Sequence, residues 1–191
     1  ANTSLRKIDL PDDSIPEDLV ICDLAVGAGA FLIQFARILS NISQLKVGEI
    51  LEKHVIGFDI DSEVLLVCSL CFHLERGCPE TTTKYHLFSL DSVGRLNSRE
   101  EIRSKIKILR PESKGSATIT TGNPPYVRVK SEQFEKLGFQ TLKCRNLSAF
   151  FFEQAIEITE IGGVVSQILP LSLIDSDSTS SFREVLESRC S

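Results

Sequence analysis

Residues 19–31 read Leu-Val-Ile-Cys-Asp-Leu-Ala-Val-Gly-Ala-Gly-Ala-Phe, and this stretch decides the fold class. The continuous apolar run Leu19–Cys22 predicts a buried strand that ends at Asp23. Gly27 and Gly29 follow in a turn, and the residues after them have helical spacing. A strand, a glycine-containing turn and a helix in this order predict an α/β unit with a parallel strand.

The same alternation continues along the chain. Further strands are predicted at 54–59, 85–89, 116–121 and 164–170, and helices at 29–39, 63–75, 149–160 and 181–188. Asp61 or Ser62 is predicted to cap the second helix, and the pair Gly162-Gly163 to close the third. We therefore expect a Rossmann-like α/β fold with a mostly parallel sheet, helices on both faces and ligands at the carboxyl ends of the strands.

Length and composition bound the class of protein. The chain has 191 residues, of which 42% are hydrophobic and 25% charged, as in an ordinary soluble domain. No stretch approaches the roughly 20 apolar residues of a membrane span, and the first residues lack the apolar core of a signal peptide. We therefore expect a cytoplasmic protein with no membrane partner. Residues 1–18 predict an irregular segment, and residues 19–191 predict one domain.

The six cysteines raise the question of a metal site. Without a secretory signal, reduced thiols are the default, and a chain of this length can bury a sufficient core without disulfides. Cys68 and Cys71 have the C-x-x-C spacing, with His73 and Cys78 as the further candidate ligands. The flanking residues are apolar, and no second C-x-x-C exists. We therefore interpret both thiols as small apolar residues of a buried helix and expect no metal.

Charge is distributed unevenly. The net charge of -5 argues against a protein that coats nucleic acid. Residues 94–145 nevertheless hold 12 Lys or Arg against five Asp or Glu. Taken alone, this stretch is typical of a solvated face with a surface loop, and phosphate contacts are the alternative.

Polar residues follow four of the predicted strands. Asp23 and its two glycines follow the first strand and allow a ligand close to the backbone; Ile33 stands near where a third glycine would complete a dinucleotide fingerprint, which favours a smaller nucleoside. Asp59 follows the second strand and can accept both hydroxyls of a ribose, since the residues predicted to cap the next helix leave it free. Asp91 follows the third strand and is either an acceptor for an exocyclic amine or an ordinary turn aspartate.

The fourth polar cluster, Asn123-Pro124-Pro125-Tyr126, has the chemistry of a pocket for a flipped planar base. The prolines fix φ and hold the turn rigid. The side-chain carbonyl of Asn123 and the backbone carbonyl of Pro124 can accept both hydrogens of an amino group, and the Tyr126 ring can stack on the base. The alternative is a plain turn with a packing tyrosine.

In their order and spacing, these clusters resemble the motifs of S-adenosylmethionine-dependent N6-adenine DNA methyltransferases of bacterial restriction-modification systems. The tail is similar to the corresponding part of the type I and type IIG enzymes. The resemblance extends over roughly residues 19–188. The stretches that carry it are 23–31, 57–61, 90–92, 122–127, 146–155, 162–163 and 168–170.

The resemblance implies a cofactor site for S-adenosylmethionine. Its methionine part would lie along the first loop, Asp59 would bind the ribose, Ile60 would pack on the adenine, and Phe150 would close over that ring. Asp91 would accept from the amino group of the cofactor adenine. The implied cofactor-binding residues are Asp23, Ala25, Gly27, Gly29, Phe31, Asp59, Ile60, Asp91 and Phe150.

The resemblance also implies the catalytic residues Asn123, Pro124, Pro125 and Tyr126, which would hold the extruded adenine while its N6 attacks the sulfonium methyl. Accepted hydrogen bonds would build negative charge on N6, and alignment would supply most of the remaining acceleration, so no metal is required. The implied partners are double-stranded DNA, contacted through residues 94–145, and a specificity or restriction subunit. Residues 127–145 would lie at the rim of the cleft.

The chain departs from this family in several places. Leu24 stands where the family usually has proline, and Thr118 where it usually has an acid. The N-terminal motif that usually starts the cofactor site is not recognisable in residues 1–18, and no target-recognition domain follows. We therefore expect a catalytic-domain fragment that is incomplete at both ends.

Three alternative functions remain to be weighed. A protein-glutamine methyltransferase of the release-factor type and a ribosomal RNA guanine methyltransferase use the same chemistry on another amine or amide. The aromatic block 148–152 and the strand end 168–172 argue against the release-factor type. A catalytically inactive module that assembles with a specificity subunit is the third; Leu24 favours it, and the intact turn opposes it.

Overall fold

The computed structural model describes residues 15–77 and 83–190. Its core is a sheet of five strands in the order β3-β2-β1-β4-β5, and each pair of neighbours is parallel. The predicted Rossmann-like α/β fold is therefore confirmed. The strands are β1 (Ile21–Asp23), β2 (Val55–Asp59), β3 (His86–Ser89), β4 (Ala117–Gly122) and β5 (Thr159–Gln167).

Helices cover both faces of the sheet. They are α1 (Ala30–Asn41), α2 (Val47–Lys53), α3 (Ser62–Arg76), α4 (Ser98–Leu109), α5 (Leu147–Ile158), α6 (Ser172–Asp175) and α7 (Ser180–Arg189). Ile21 of β1 belongs to the apolar cluster shared with α1, α2 and α3, whereas its neighbour Cys22 belongs to the cluster shared with α4 and α5. This alternation places the first three helices on one face and α4 and α5 on the other.

The change of face fixes where a ligand site can form. The strand order runs outward from β1 through β2 to β3 in one direction and through β4 to β5 in the other. Loops at the carboxyl ends of β1 and β4 therefore diverge to opposite faces and leave a crevice, which is the general ligand position in open α/β sheets.

One predicted boundary is wrong. Gly162 and Gly163 do not close a helix, because α5 ends at Ile158 and β5 begins at the next residue. Pairing along β4 moves from Ala117 opposite Thr159 to Ile119 opposite Val164, so extra residues bulge out of β5. Gly162 has φ +83°, a conformation that glycine adopts without strain, and it lies in this bulge.

The basic stretch, which its charge alone makes typical of a solvated face with a surface loop, includes a helix that the sequence did not predict. Residues 98–109 form α4, which buries Ile102 and Ile106 against the sheet. Two of its arginines are engaged at the end of α5: Arg99 forms an ion pair with Glu157, and Arg103 donates to the Glu157 carbonyl at 2.8 Å. This part of the stretch therefore belongs to the packed scaffold.

The helix that carries Cys68 and Cys71 is buried on one face only. Cys68 is fully buried, and burial raises the pKa of its thiol to about 12. Leu66, Leu70 and Leu74 are exposed on the other face, so the expectation of a buried helix holds for one face only. Within residues 15–77 and 83–190, His, Cys, Asp and Glu side chains form no group of three or more that could hold a metal; Cys78 lies outside these ranges.

Two further predictions concern membrane spans and the N-terminal segment. In the part of the chain that the structure describes, no helix combines the length and the apolar character needed to cross a bilayer. Of the predicted irregular segment 1–18, residues 1–14 lie outside the described part.

Candidate functional site

The four predicted polar clusters lie at one edge of the sheet, where β1, β2, β3 and β4 end; we call it the carboxyl edge. Asp23 is the last residue of β1, and Asp59 is the last residue of β2. Asp91 follows β3 within two residues, and Asn123 follows β4 directly. The topology thus brings together residues that are up to 100 positions apart in the sequence.

Asp23 is a buried carboxylate at the base of the crevice. It is 1% exposed, and its Oδ1 accepts a hydrogen bond from the Ala25 backbone N–H at 2.9 Å. Burial raises the pKa of the Asp23 carboxyl to about 7; the Ala25 bond opposes this shift, and the nearby Asp59 charge adds to it. A positively charged group beside Asp23 would therefore be stabilised by the ionised carboxylate and would lower the pKa of Asp23.

Asp59 holds the loop after β1 in place. Its Oδ2 accepts from the Gly27 backbone N–H at 3.0 Å, and its Oδ1 accepts from the Asp61 backbone N–H at 3.1 Å. As expected, Asp59 does not cap α3, but its side chain already has these two backbone partners. Asp61 does cap α3 as predicted, accepting from the N–H groups of Glu63 and Val64. Because a carboxylate can accept about four hydrogen bonds, Asp59 retains the capacity to accept two hydroxyls.

The two glycines of the first loop meet different surroundings. A Cβ on Gly27 would meet no atom within 4 Å, whereas a Cβ on Gly29 would lie 2.7 Å from both Cys68 Sγ and Phe72 Cε1. Gly27 therefore faces open space, and Gly29 packs against α3. Both have positive φ, +54° and +85°. The space in front of Gly27 is where a ligand can approach the backbone.

These surroundings fit the methionine and ribose parts of S-adenosylmethionine, which carry positive charge and vicinal hydroxyls. The fit rests on the buried Asp23 carboxylate, the spare acceptor capacity of Asp59 and the open space at Gly27. Ile60 is 70% exposed at the same edge, and its contact with a cofactor ring stays a prediction. Ala25 and Phe31 are partly buried.

Asp91 serves the loop after β3. Its Oδ1 accepts from the backbone N–H groups of Gly94 at 2.7 Å and Val93 at 3.3 Å, the arrangement of a turn aspartate. The next residue, Ser92, donates its hydroxyl to the Leu24 carbonyl at 2.8 Å and so ties this loop to the one after β1. The turn function is thus observed, and the contact of Asp91 with a cofactor adenine stays a prediction.

Phe150 is fully buried in α5, so its implied contact with a cofactor ring is closed off in this conformation. The Phe139 ring stacks on it with 5.0 Å between ring centroids and 8° between ring planes. Phe139 is held there by the segment that follows: the backbone N–H groups of Gln140 and Thr141 donate to the buried Glu153 carboxylate at 2.8 and 2.9 Å. Phe134 also packs on Phe150, with 4.9 Å between ring centroids, so a ligand ring could reach Phe150 only after side chains that cover it move.

The Asn123–Tyr126 turn projects from the end of β4. Asn123 and Tyr126 are exposed, and Pro124 is buried. The Tyr126 hydroxyl lies 2.5 Å from Asn123 Oδ1 and 2.9 Å from the Ile168 carbonyl, and its single proton can be donated to one of them at a time. Among the described residues, no group donates to the Pro124 carbonyl. The turn therefore presents hydrogen-bond acceptors beside an aromatic ring.

Gly122 joins this turn to the first loop. Its φ is +141°, and a Cβ there would lie 2.5 Å from Asp23 Oδ1. The backbone that leads into Asn123 thus lies against the buried carboxylate of the neighbouring strand. Of the two departures from the resembled pattern, Leu24 directly follows Asp23 in the first loop. Thr118 lies near the amino end of β4, where its hydroxyl oxygen accepts from the Val20 N–H.

A basic surface lies on the other side of the turn. Two adjoining cavities, of about 560 and 570 Å³, share Arg128 and Arg145 in their walls, and the first also includes Tyr126. Arg145 is the one described non-glycine residue with positive φ, at +48°, a conformation that costs an L-residue about 1–2 kcal/mol. Sequence composition singled out this region, but it held no signal for that conformation or for the stacking of Phe139.

Comparison with known proteins gives a family and a fold. A family model described as Eco57I restriction-modification methylase matches residues 53–190. Among curated protein sequences, none matches the chain significantly.

Three solved structures illustrate the shared fold. A modification subunit attributed to a type I restriction enzyme from Vibrio vulnificus YJ016 is 16% identical with a TM-score of 0.62, over 88% of this chain and 34% of that one. A nuclease-deletion mutant of the type ISP restriction-modification enzyme LlaGI, in complex with a DNA substrate mimic, is 16% identical with a TM-score of 0.66, over 88% and 17%. The M protein of the type I restriction enzyme EcoKI is 16% identical with a TM-score of 0.61, over 89% and 34%. The chain thus spans about a third or less of the length of these proteins.

Proposed function

Because this chain belongs to the Eco57I restriction-modification methylase family, we propose that it transfers a methyl group from S-adenosylmethionine to N6 of an adenine flipped out of double-stranded DNA. The reaction would be the modification step of a restriction-modification system. DNA would be the substrate of this domain, and a specificity or restriction subunit would be a further partner.

The contact between Gly122 and Asp23 carries the proposal. A Cβ on Gly122 would lie 2.5 Å from the Asp23 carboxylate, so the turn that presents Asn123 and the loop that presents Gly27 meet at one point. Methyl transfer needs the donor and the acceptor atom at near-contact distance. A cofactor along the first loop and a base on the turn would satisfy this requirement without any large movement of the sheet.

On the cofactor side, the chain supplies binding and orientation. Asp59 would accept the ribose hydroxyls while its bond to the Gly27 N–H keeps the loop in position. Burial raises the pKa of Asp23, and the positive charge of the methionine part beside it would oppose this shift and stabilise the ionised carboxylate. S-adenosylmethionine, when bound, supplies an electrophilic methyl group on a sulfonium. For its adenine ring to contact Phe150, Phe139 must leave the stack.

On the target side, two carbonyl oxygens would accept the two hydrogens of an adenine amino group. Asn123 Oδ1 would release the Tyr126 hydroxyl, and the Pro124 carbonyl already lacks a donor among the described residues. Both bonds would increase electron density on N6 as it attacks, which is differential stabilisation of the transition state. The Tyr126 ring, 47% exposed, would stack on the base.

Calorimetric titration with S-adenosylmethionine tests the cofactor half of the proposal. We expect the 191-residue chain to bind and Asp59→Ala to bind at least about tenfold more weakly, because it loses acceptors worth about 1.5 kcal/mol or more. Asp61→Ala is the matched control, since Asp61 is in the same loop and caps α3 but is exposed. Equal losses in both variants, or no binding by the unmodified chain, would contradict the cofactor assignment.

Product analysis tests the target half. We expect duplex DNA incubated with the chain and S-adenosylmethionine to gain N6-methyladenine, detected after digestion to nucleosides. Methylation of a peptide glutamine or of guanine in ribosomal RNA, with DNA unmodified, would instead support one of the other methyltransferases that use this turn.

A further inference from the structure

The arginines of the described residues divide into two groups. Seven of the ten have side chains that form an ion pair or a hydrogen bond with protein atoms. These are Arg37, Arg76, Arg99, Arg103, Arg110, Arg183 and Arg189. Their charged groups are already engaged in contacts within the fold.

The other three arginines have no such partner in residues 15–77 and 83–190. They are Arg95, Arg128 and Arg145, and all three are exposed. Arg95 is in the loop after β3, and the other two follow β4, so each lies on the carboxyl-edge side of the sheet. Charges left without protein partners are thus found beside the site and not elsewhere among the described arginines.

Local pairing brings Arg128 and Arg145 together. Residue 128 forms an antiparallel bridge with Asn146, the Val129 N–H donates to the Arg145 carbonyl at 2.9 Å, and the Leu147 N–H donates to the Val127 carbonyl at 2.8 Å. Both arginines line both cavities next to the turn. We call them the arginine pair.

The charge around the arginine pair favours an anion. The first cavity also includes Lys143 and one acid, Glu135, and the second includes Lys130 and one acid, Glu132. Each wall therefore holds three cations against one carboxylate, on a chain whose net charge is -5. An attraction confined to this surface can direct a polyanion to the turn without coating the rest of the protein.

Arg145 keeps a left-handed backbone conformation, with φ +48° and ψ +31°, at the end of a short 3-10 turn. Glycine or asparagine would adopt this conformation with less strain. Strain retained at a residue with an unpaired side chain is the pattern of a position that serves binding.

We propose that the arginine pair binds one phosphodiester of the DNA strand that carries the target adenine, directly beside Tyr126. Guanidinium groups fit a phosphate through paired N–H donors, and two of them on one phosphate would grip the backbone where the nucleotide is extruded. This inference rests on the proposed function, because it takes DNA as the substrate. It adds the residues that position the flipped nucleotide, whose contacts are independent of sequence.

The test measures binding of a fluorescent DNA duplex by anisotropy over a series of KCl concentrations, without cofactor. We compare the unmodified chain with Arg128→Gln, Arg145→Gln and the double variant. Lys107→Gln is the control, because Lys107 is an exposed cation of α4 away from the cavities. For one lost phosphate contact, the salt slope of the double variant should fall by about 0.9, and its affinity by about tenfold or more.

The double variant also tests whether the two arginines share a phosphate. Losses that are less than the sum of the single losses support a shared contact. If the salt slope of the double variant falls by about 1.8 and the affinity losses are additive, the two arginines contact separate phosphates and the shared contact is wrong. If its slope falls no more than that of Lys107→Gln, the whole proposal is overturned. If the unmodified chain does not bind DNA in a salt-dependent way, the proposal that DNA is the substrate fails as well. The methyltransferase assignment is tested separately, by the binding of S-adenosylmethionine.

Arg145→Gly separates binding from folding. Glycine relieves the backbone strain, so the thermal unfolding midpoint should stay the same or rise while DNA affinity falls as in Arg145→Gln. Arg145→Lys should keep most of the salt slope but lose affinity, because lysine retains the charge and not the paired donors. Unchanged DNA affinity in Arg145→Gly would show that this residue does not contact the phosphate.

Discussion

Two regions of the carboxyl edge are built in contrasting ways. The cofactor loops, residues 23–29 and 59–61, are tied together by hydrogen bonds between a carboxylate and backbone N–H groups. The target segment, residues 123–145, consists of the turn and three short 3-10 turns, and its basic side chains are exposed. The first region is acidic and internally satisfied, and the second is basic with charges that lack protein partners.

The contrast indicates how each region would recognise its ligand. The cofactor loops have little freedom, because Asp59 already positions the backbone at Gly27 and α3 packs against Gly29. Their shape exists before any ligand is present. The target segment has its shape fixed at a few points, chiefly Glu153, and leaves its arginines available. Substitutions in the first region should therefore alter stability as well as cofactor binding, whereas substitutions in the second should alter function without unfolding the chain.

The largest expected effect is that of Asn123→Ala on methyl transfer. Removing the side-chain carbonyl that accepts from the amino group should lower kcat by about 10³-fold, or about 4 kcal/mol, because this bond strengthens in the transition state. Binding of S-adenosylmethionine should not change. Radiolabelled methyl transfer and calorimetry measure the two quantities. A variant that also lost cofactor binding would break the division between the two regions.

Asp23→Asn should change stability in a pH-dependent way. The folded-state pKa of Asp23, about 7, lies above its value of 3.8 in the unfolded chain, so the folded chain holds the extra proton between these pH values. The contribution of Asp23 to the free energy of unfolding is therefore lost as pH rises from about 4 to about 7. At pH 8 the variant should be more stable by up to about 4 kcal/mol.

Urea unfolding of both proteins at pH 4 and pH 8 measures this difference. The two stabilities should nearly converge at the lower pH, where the side chain at position 23 is neutral in both folded proteins. A difference that stays constant with pH would mean that Asp23 is ionised without penalty, and the buried carboxylate would then have a compensating partner.

Gly29→Ala and Gly27→Ala form a matched pair within the cofactor loops. A Cβ at Gly29 would lie 2.7 Å from Phe72 Cε1, so overpacking and backbone strain together should cost about 3 kcal/mol. At Gly27 only the backbone strain applies, about 1 kcal/mol. Its new methyl would instead occupy the open approach, so cofactor affinity should fall while the fold survives. Similar unfolding midpoints for the two variants would contradict this distinction.

Glu153→Gln should cost less stability than Gly29→Ala. Glu153 accepts from two backbone N–H groups and the Thr141 hydroxyl, and an amide can replace only one of its two oxygens, so about 2 kcal/mol of stability should be lost. Hydrogen exchange should quicken in residues 131–145 and not in residues 21–33. Glu157→Gln, on the same helix with ion pairs nearer the surface, is the control and should cost less.

Much of the fold could be predicted because it follows from local pattern. Runs of apolar or β-branched residues indicated all five strands, and the parallel topology then placed Asp23, Asp59, Asp91 and Asn123 at one edge. Helix α4 was missed, because its buried residues Ile102 and Ile106 are surrounded by charge in the sequence. The glycine pair of β5 was misassigned, because the glycine signal for a helix end also suits a bulge.

The finer structure of the site depends on contacts between residues distant in the chain. The bond from the Gly27 N–H to Asp59 and the contact of Gly122 with Asp23 form only when neighbouring strands align. Phe139 stacks on Phe150 because Glu153 holds the segment that follows Phe139. The residues around neither phenylalanine carry a local signal that predicts this stacking. Pattern therefore located the loops but not the hydrogen bonds within them.

The Tyr126 hydroxyl makes the binding of a base an exchange of one hydrogen bond for another. It already occupies one of the acceptors, Asn123 Oδ1, that an incoming amino group would use, so one hydrogen bond replaces another. Such an exchange yields little net free energy, since a single hydrogen bond contributes only about 1 kcal/mol. The driving force for holding an extruded nucleotide must then come from ring stacking and from the backbone phosphates. Asn123 would thus govern which base is accepted and how fast it reacts, and hardly at all how tightly DNA is held.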